Sequence, residues 1–408
     1  MADRSKYQRA RVGDVAYNTM RMWQGAVGVV PADGLISPAY VVVRPYPDVD
    51  PRYYAYLFRT AAYLQQIEIE SRGIVPDRNR LYWDAFKAMP AVYPPIDEQR
   101  AIADYLDIQG HMVRRLAYAK RAVRQLLERQ LAAEYQQALT RGIGHVGERR
   151  NAGAPWLPDV PVHWRVDKLK RFIRLNPSRA ESAALRHDAQ EVVFLPMERV
   201  STEGRVDCSE RRPIRDVWEG YTYFRRGDVV MAKITPCFEN GKGAVLGDLA
   251  TEIGFGTTEF IVMRPGEELL PEYLDALCRM PVFRQLGGEA MTGAAGQQRV
   301  PASFVRDFVV AVPPIDEQRA ILEHLTARRD VARRVEDRIA AELHLVQEHH
   351  EVLIAAAVTG EIDVRGVAFT QSGAPTGDLG EDAPGDDDDL LAESDDDLEL
   401  DAVTSDAD

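Results

Sequence analysis

The peptide Pro94-Pro-Ile-Asp-Glu-Gln-Arg-Ala-Ile102 recurs without a change at Pro313 to Ile321. Looser similarity continues upstream of each copy. The corresponding segments are Gly13–Val15 with Gly227–Val229, Val43–Pro45 with Met263–Pro265, and Tyr53-Tyr54 before Leu57 with Glu272-Tyr273 before Leu277. A repeat of this kind predicts two globular modules with the same order of elements. Each module is followed by the segment that the Pro-Pro pair introduces.

That segment is predicted to be a long helix. Proline fits only the first turn of a helix, and the acidic residues after it favour the positive end of the helix dipole. No proline occurs from Ile96 to Leu139 or from Ile315 to Val358, and apolar residues recur every three or four positions. We expect the two helices to pack antiparallel as a coiled coil, because one apolar stripe needs a partner. The alternative is two unrelated helices, each on its own domain.

The second module mixes short strand-like runs with a helix near Pro271 to Arg279, which predicts an α/β or α+β fold. The first module has no counterpart of Trp164 to Gly220, so we expect it to be incomplete at its N-terminal side. The expected boundaries are 1–95 for the first module, 96–140 for the first helix, 141–163 for a Gly- and Pro-rich linker, 164–312 for the second module, 313–359 for the second helix, 360–377 for a connector and 378–408 for an acidic tail.

The charge is concentrated in the tail. The chain carries a net charge of −14, and residues 378–408 contain 15 Asp or Glu and no Lys or Arg, which leaves +1 for residues 1–377. A self-repelling segment without aromatic residues is expected to be disordered. It is either a solvating extension or a competitor of DNA phosphates for a basic surface.

Cysteine usage and hydropathy predict a cytoplasmic protein. The three cysteines, Cys208, Cys237 and Cys278, have no metal-ligand spacing and cannot form an even set of disulfides. We find no apolar run of signal-peptide or membrane-spanning type.

Catalytic motifs are missing from the sequence. Asn240-Gly-Lys-Gly243 lacks the leading glycine and the hydroxyl of a phosphate-binding loop, and no Gly-x-Ser-x-Gly elbow occurs. The Pro-Pro pairs follow Tyr93 and Val312, not the Asn or Asp of an amino-methyltransferase. The nearby His344, His349 and His350 lack a completing carboxylate or thiol, so no metal site is expected. The sequence therefore favours recognition over catalysis.

Loops that combine basic and amide side chains with glycine are candidates for DNA recognition. Arg, Lys, Asn and Gln form paired hydrogen bonds with base edges, and glycine lets the backbone approach phosphate. Ordinary polar loops are the alternative. The candidates are Lys233, Thr235, Asn240, Lys242, Gln297, Gln298 and Arg299 in the second module, and Arg21, Gln24, Arg78, Asn79 and Arg80 in the first.

Taken together, the chain resembles the specificity subunits of type I restriction-modification enzymes. The resemblance rests on both Pro-Pro-Ile-Asp-Glu-Gln peptides, on Gly153 to Trp164, on the strand start at Gly227 and on Ala357 to Val364. It covers nearly the whole chain up to about Gly366.

The resemblance implies two target recognition domains that each bind one half of a bipartite, asymmetric site in double-stranded DNA, with the conserved helices as a ruler between them. It implies two modification subunits that methylate adenine N6 with S-adenosylmethionine, and restriction subunits that use ATP and Mg. The chain itself would be no enzyme and would bind no cofactor. The repeated helix starts, as candidate partner contacts, contribute Glu98, Gln99, Arg100, Glu317, Gln318 and Arg319. The alternative function is a coiled-coil scaffold or regulator with two protein-binding modules.

Overall fold

The structure is a computed structural model, and it describes residues 7–72, 79–144, 147–294 and 296–365. The chain divides into two compact units. The first unit comprises Met1–Val123 and Glu336–Asp408, and the second comprises Arg124–Val335. The predicted boundaries separate the long helices from the modules. In the structure, each unit instead combines one module with part of both long helices.

The first unit begins with small antiparallel sheets. Its elements are β1 Gln8–Ala10, β2 Val15–Asn18, β3 Val27–Val29, β4 Gly34–Ile36, β5 Tyr40–Val43, α1 Pro51–Leu57, α2 Ala61–Glu70, α3 Trp83–Phe86 and the start of α4 Ile96–Arg141. The strand order is β3-β2-β5 in one sheet and β1-β4 in the other. Val15 pairs with Val29 on one side and with Val43 on the other. The core of this unit joins Tyr17, Tyr53 and Leu57 to Leu106 and Val358 of the long helices.

The second unit has more strands. Its elements are the end of α4, then β6 Arg149–Ala154, β7 Leu157–Pro161, β8 Arg165–Lys168, β9 Ile173–Leu175, β10 Glu191–Leu195, β11 Arg211–Pro213, α5 Ile214–Val217, β12 Thr222–Arg225, β13 Val229–Ala232, β14 Gly243–Val245, β15 Ile253–Gly256, β16 Phe260–Pro265, α6 Pro271–Arg279, α7 Pro281–Glu289, α8 Ala302–Asp307, β17 Val309–Val312 and the start of α9 Ile315–Val358. The unit contains two four-stranded sheets, β11-β10-β15-β12 and β14-β13-β16-β9, and two further two-stranded sheets, β17-β8 and β6-β7.

The predicted repeat is confirmed in the backbone. The order β14-β13-β16 of the second unit matches β3-β2-β5 of the first, and each sheet is followed by a helix that starts at a proline, Pro271 or Pro51. Equivalent tyrosines of the two units each bind a carbonyl near the C-terminal end of a long helix. Tyr53 donates from its hydroxyl to the carbonyl of Val358 at 2.9 Å, and Tyr273 donates to that of Leu139 at 3.5 Å. Each module therefore holds the C-terminal end of the helix that the other copy of the repeat begins.

Both long helices have the predicted bounds and pack antiparallel within each unit. In the first unit Lys120 of α4 pairs with Glu342 of α9 at 2.5 Å, and Gly110 lies near His350. In the second unit Glu134 accepts two hydrogen bonds of 2.6 Å from Arg328. The predicted packing of the two helices is confirmed, and the alternative of two unrelated helices is excluded.

The stretch 141–163 differs from its prediction as a linker. It forms the hairpin of β6 and β7, whose side chains Leu157 and Val160 are buried in the same core as Trp164. Gly153 has φ +75°, which a residue with a Cβ rarely adopts, and its N–H donates to the side chain of Asn151. Gly153 lies in β6 where the pairing with β7 shifts register, so this glycine belongs to a paired hairpin and not to a free linker.

The far C-terminal predictions lie outside the described residues. These are the connector from 366 on and the acidic tail 378–408. Over the ranges that the structure covers, no helix is long and apolar enough to cross a membrane.

Candidate nucleic-acid interface

Two of the predicted loops of the second unit lie side by side just beyond β13. The backbone N–H of Thr235 donates to the carbonyl of Gln298 at 3.0 Å, and the N–H of Val300 donates to the carbonyl of Lys233 at 2.8 Å. The hydroxyl of Thr235 also donates to Gln298 at 3.0 Å. Five of the predicted recognition residues, Lys233, Thr235, Gln297, Gln298 and Arg299, therefore belong to one surface, which we call the second loop pair.

Arg299 of the second loop pair is held by Glu259, a residue that sequence analysis missed. Nε and Nη2 of Arg299 donate to the two carboxylate oxygens at 2.9 and 2.8 Å, and Nη1 donates to the carbonyl of Gln297 at 3.1 Å. The hydrogen bonds from Arg299 lower the pKa of Glu259, so the carboxylate is charged at neutral pH. Glu259 directly precedes β16, and no motif marks it.

Asn240 and Lys242 flank a tight turn at Gly241 in the same unit. Asn240 is exposed, and the carbonyl of half-buried Lys242 accepts from the N–H of Ala232 at 2.9 Å. Gly241 has φ +75°, and a Cβ added there would come within 2.4 Å of Cζ of Arg284. Glycine is favoured at this turn, because residues with a Cβ rarely adopt this backbone angle and a side chain here would displace the guanidinium of Arg284.

Arg284, on α7, lies next to this turn and was not among the predicted recognition residues. Its Nε is buried without a hydrogen-bond partner among the described residues. Burial and the neighbouring Arg279 lower the pKa of Arg284. Its position in the middle of a helical segment gives no sequence signal for this environment.

The first unit brings its predicted loops together in the same way. The backbone N–H of Leu81 donates to the carbonyl of Thr19 at 2.9 Å, which places Asn79 and Arg80 beside the segment of Arg21 and Gln24. Arg21, Gln24 and Arg80 are exposed, and Asn79 is half-buried. Arg78 lies outside the described residues.

The loops of the two units occupy equivalent places. Thr19 corresponds to Lys233. The N–H of Thr19 donates at 2.9 Å to the carbonyl of Ala39, which directly precedes β5, and the N–H of Lys233 donates at 2.9 Å to the carbonyl of Glu259, which directly precedes β16. The N–H of Leu81 donates to the carbonyl of Thr19, and the N–H of Val300 donates to that of Lys233. Arg80 and Arg299 directly precede these two donors and are therefore equivalent as well. The place of Glu259 is therefore filled by alanine in the first unit.

Gln24 and Asn240 are a second equivalent pair. Each directly precedes a glycine of positive φ, Gly25 at +83° or Gly241 at +75°. In both turns the glycine N–H donates at 2.9 Å to a carbonyl three residues earlier. Both units thus present an exposed amide side chain at the same turn.

The repeated glutamine is an internal clamp at the start of each long helix. Gln318 accepts from the N–H of Leu270 at 2.9 Å and donates to the carbonyls of Glu268 and Pro313 at 2.8 Å. Gln99 accepts from the N–H of Asp50 at 2.9 Å and donates to the carbonyl of Pro94 at 2.8 Å. Leu270 and Asp50 are the N-cap residues of α6 and α1. Both amides are fully buried, which leaves no group for the partner contact that the sequence suggested.

The neighbours of the glutamines face outward to different degrees. Arg100 and Arg319 are exposed and pair with Asp97 at 3.9 Å and Asp316 at 3.0 Å. Glu98 is half-buried. Glu317 is half-buried and accepts hydrogen bonds from Nε1 of Trp164 at 3.0 Å and from His163 at 2.8 Å. Arg100 and Arg319 thus remain available for a surface role.

A repeated ion pair lies at the start of two equivalent strands, β2 in the first unit and β13 in the second. Arg264 donates from Nε and Nη2 to Asp228 at 2.6 and 2.9 Å, and Arg44 donates in the same way to Asp14 at 2.9 Å for both bonds. Arg264 also donates to Glu181 at 2.6 Å. The Arg264 side chain is only 9% exposed, whereas that of Arg44 is 58% exposed. Both pairs fix the strand that leads to the recognition loops.

The described residues contain no group of three or more His, Cys, Asp or Glu side chains arranged to hold a metal ion. Of the three histidines considered as metal ligands, His344, His349 and His350, the first pairs with Glu348 at 3.5 Å, and Nε2 of His350 is buried without a hydrogen-bond partner among the described residues.

Two curated relatives match part of the chain. The specificity subunit of the type I restriction enzyme EcoAI of Escherichia coli is 36% identical over 200 residues, which cover 48% of this chain and 33% of that protein. The EcoEI specificity subunit of the same species is 34% identical over 201 residues, with the same coverage. The matched region spans about a third of the length of these relatives. No model of a known protein family matches the chain.

Solved structures share the fold. A chain from a structure described as the basis of complex assembly and conformational transition of the type I R-M system gives a TM-score of 0.65 at 14% identity, with 88% of this chain and 85% of that chain covered. The HsdS subunit from Thermoanaerobacter tengcongensis gives 0.50 at 16% identity, with 88% and 84% covered. The predicted resemblance to type I specificity subunits is confirmed, as is the mixed helix-and-sheet fold with long helices.

Proposed function

We propose, from the similarity to type I specificity subunits, that this chain is the DNA sequence-recognition subunit of a type I restriction-modification complex. The observation that carries the proposal is the equivalence of the loops in the two units. Each unit offers an exposed amide at the Gln24 or Asn240 turn and an arginine, Arg80 or Arg299, on the adjoining loop. Amide and guanidinium groups are the side chains that discriminate bases in the major groove.

Two recognition modules imply a bipartite DNA site, with one half for each module. The modules differ in their loop residues, since Ala39 of the first stands where Glu259 stands in the second. Different side chains read different bases, so the two halves of the site differ in sequence. Asymmetry of the site follows from this difference.

The long helices offer the surface for two modification subunits. Exposed apolar side chains occur along both helices, among them Leu126 on α4 and Leu345 and Val352 on α9. These side chains are candidates for the contact with the partner subunits. S-adenosylmethionine, ATP and Mg, with the chemistry of methylation and restriction, belong to the partner subunits in this proposal.

A reconstitution experiment tests the function. The purified chain alone is expected to transfer no methyl group to DNA, whereas its mixture with the modification subunit is expected to methylate adenines within one bipartite motif. Native mass spectrometry should show two modification subunits per chain. Methyl transfer by the chain alone would contradict the proposal. A stable complex that selects no DNA sequence would favour a coiled-coil scaffold instead.

The spacing of the two half-sites is expected to follow the length of the helices. Four residues inserted after Val123 and four after Ile339, positions near the Lys120–Glu342 pair, extend both helices by about 6 Å and nearly preserve the facing of their apolar stripes. The spacer of the methylated motif should grow by about one to two base pairs, since B-DNA advances about 3.4 Å per base pair. Single-molecule sequencing of genomic DNA measures this spacer directly.

Four alanines placed after Gly360, two residues beyond the end of α9, serve as a matched control, because they lengthen the chain without lengthening either long helix. The control should leave the spacer unchanged. An unchanged spacer in an active double-insertion variant would show that the helices do not set the distance.

A further inference from the structure

We propose that Glu259 is a specificity-determining residue of the second module, because it fixes the guanidinium of Arg299 in the orientation that reads one guanine. The inference rests on the proposed function, since it names the base class that the second loop pair recognises. Glu259 acts through Arg299 and is therefore a positioning residue.

The hydrogen bonds of Arg299 leave a defined set of donors. A guanidinium has five N–H groups, and the four bonds in this structure engage one N–H each of Nε, Nη1 and Nη2, because Nε–H is shared between the two carboxylate oxygens. Two N–H groups, both on the terminal nitrogens, remain for a ligand. Guanine offers two acceptors side by side in the major groove, N7 and O6, which is the commonest partner of arginine in sequence-specific contacts.

The position of the carboxylate argues for base reading rather than for a phosphate contact. A charged Glu259, with 23% of its side chain exposed beside an arginine that is 42% exposed, repels phosphate and weakens general attraction to DNA. Glu259 instead orients Arg299, because the bidentate hydrogen bonds fix the plane of the guanidinium. A phosphate anchor needs charge and gains nothing from a carboxylate that neutralises it.

The first unit lacks a counterpart of the Glu259–Arg299 pair. Ala39 occupies the place of Glu259, so no carboxylate from that position restrains Arg80. The same scaffold therefore carries one arginine that is held by glutamate and one that is not. This difference gives the two modules different selectivity on a shared backbone.

The test uses the complex of the full chain with its modification subunit and a library of random-sequence DNA duplexes. Bound duplexes are sequenced, and affinity for a duplex without the selected motif is measured separately. The variants are E259Q, which removes the negative charge, and R299K, which keeps the positive charge but loses the paired donors. E210Q is the matched control, because Glu210 pairs with Arg212 at 2.7 Å and is similarly exposed at 26% but adjoins a different sheet.

E259Q is expected to reduce the preference for guanine at one position of the second half-site about tenfold or more, since a good bidentate contact contributes about 1 to 3 kcal/mol. The same change should raise affinity for the motif-free duplex about two- to fivefold, because one repulsive charge is removed. R299K should lose the same preference and keep the motif-free affinity. E210Q should keep the selected motif.

Each other result overturns the inference. A retained guanine preference in E259Q or R299K would show that this pair reads no base. A joint fall of specific and motif-free affinity in E259Q would assign Glu259 a purely structural role. If the wild-type complex selects no motif at all, the proposed function itself fails, and that failure is distinct from the first two.

Discussion

Replacing Gln318 by alanine is expected to lower the free energy of unfolding of the second unit by about 3 kcal/mol. The change removes three hydrogen bonds and leaves the N–H of Leu270 and the carbonyls of Glu268 and Pro313 without their partner. A buried group left unpaired costs about 1 to 3 kcal/mol. Gln99→Ala is expected to have the same effect on the first unit, because its amide makes the equivalent bonds.

Urea unfolding followed by hydrogen exchange and mass spectrometry measures this loss and assigns it to a unit. In Q318A, the amides of α6 should lose protection, and those of α1 should keep it. Q99A should show the reverse pattern. Arg319→Ala is the matched control, since this neighbour is exposed, and it should change stability by no more than about 0.5 kcal/mol. Equal stability of Q318A and R319A would refute the clamp.

The Asp228→Ala variant is expected to lose about 4 kcal/mol of stability, and Asp14→Ala no more than about 1 kcal/mol. Removal of Asp228 leaves the buried guanidinium of Arg264 with Glu181 alone, and breaking a buried ion pair costs about 3 to 5 kcal/mol. Asp14 is also buried, but Arg44 is 58% exposed, so removal of Asp14 leaves no buried charge unpaired and should cost about 1 kcal/mol or less. The two variants test the same contact at two degrees of burial.

Denaturant unfolding at neutral pH compares the two variants directly. The pH dependence supplies an independent check on the first unit. Hydrogen bonds from Arg44 lower the pKa of Asp14, so its stabilising contribution is present above the ordinary carboxyl pKa and is lost as the pH falls through the lowered value. The D14A variant should therefore show a weaker loss of stability on acidification than the parent. If D14A lost as much unfolding free energy as D228A, the exposure of the arginine would not determine how much the ion pair stabilises the fold.

The helices and the repeat could be predicted because their signals are local. The Pro-Pro-Ile-Asp-Glu start and the spacing of apolar residues lie within one segment, and α4 and α9 begin where the repeat places them. The clamp of Gln318 could not be predicted, since its partner Leu270 is 48 positions away. Glycine was ambiguous in the stretch 141–163, because a tight hairpin and a linker use the same residue.

The recognition surface was predictable in part. Basic and amide residues near glycine identified the loops of Arg80 and Arg299, which the fold then brings beside the Thr19 and Lys233 segments. Glu259 gave no signal, because an isolated acidic residue before a strand is common on protein surfaces. Its role depends on a side chain 40 positions away. A polar residue whose partner is distant in sequence is visible only in the folded chain.

The hydrogen bond from Tyr53 to Val358 has a consequence for the order of folding during synthesis. It joins residues 305 positions apart, and the first unit includes α9 from Glu336 on, with Ala357 and Val358 in its core. The second unit, Arg124–Val335, is one continuous stretch of chain. On the ribosome the later module can thus complete its core first, whereas the earlier one must wait with an open core until α9 has emerged.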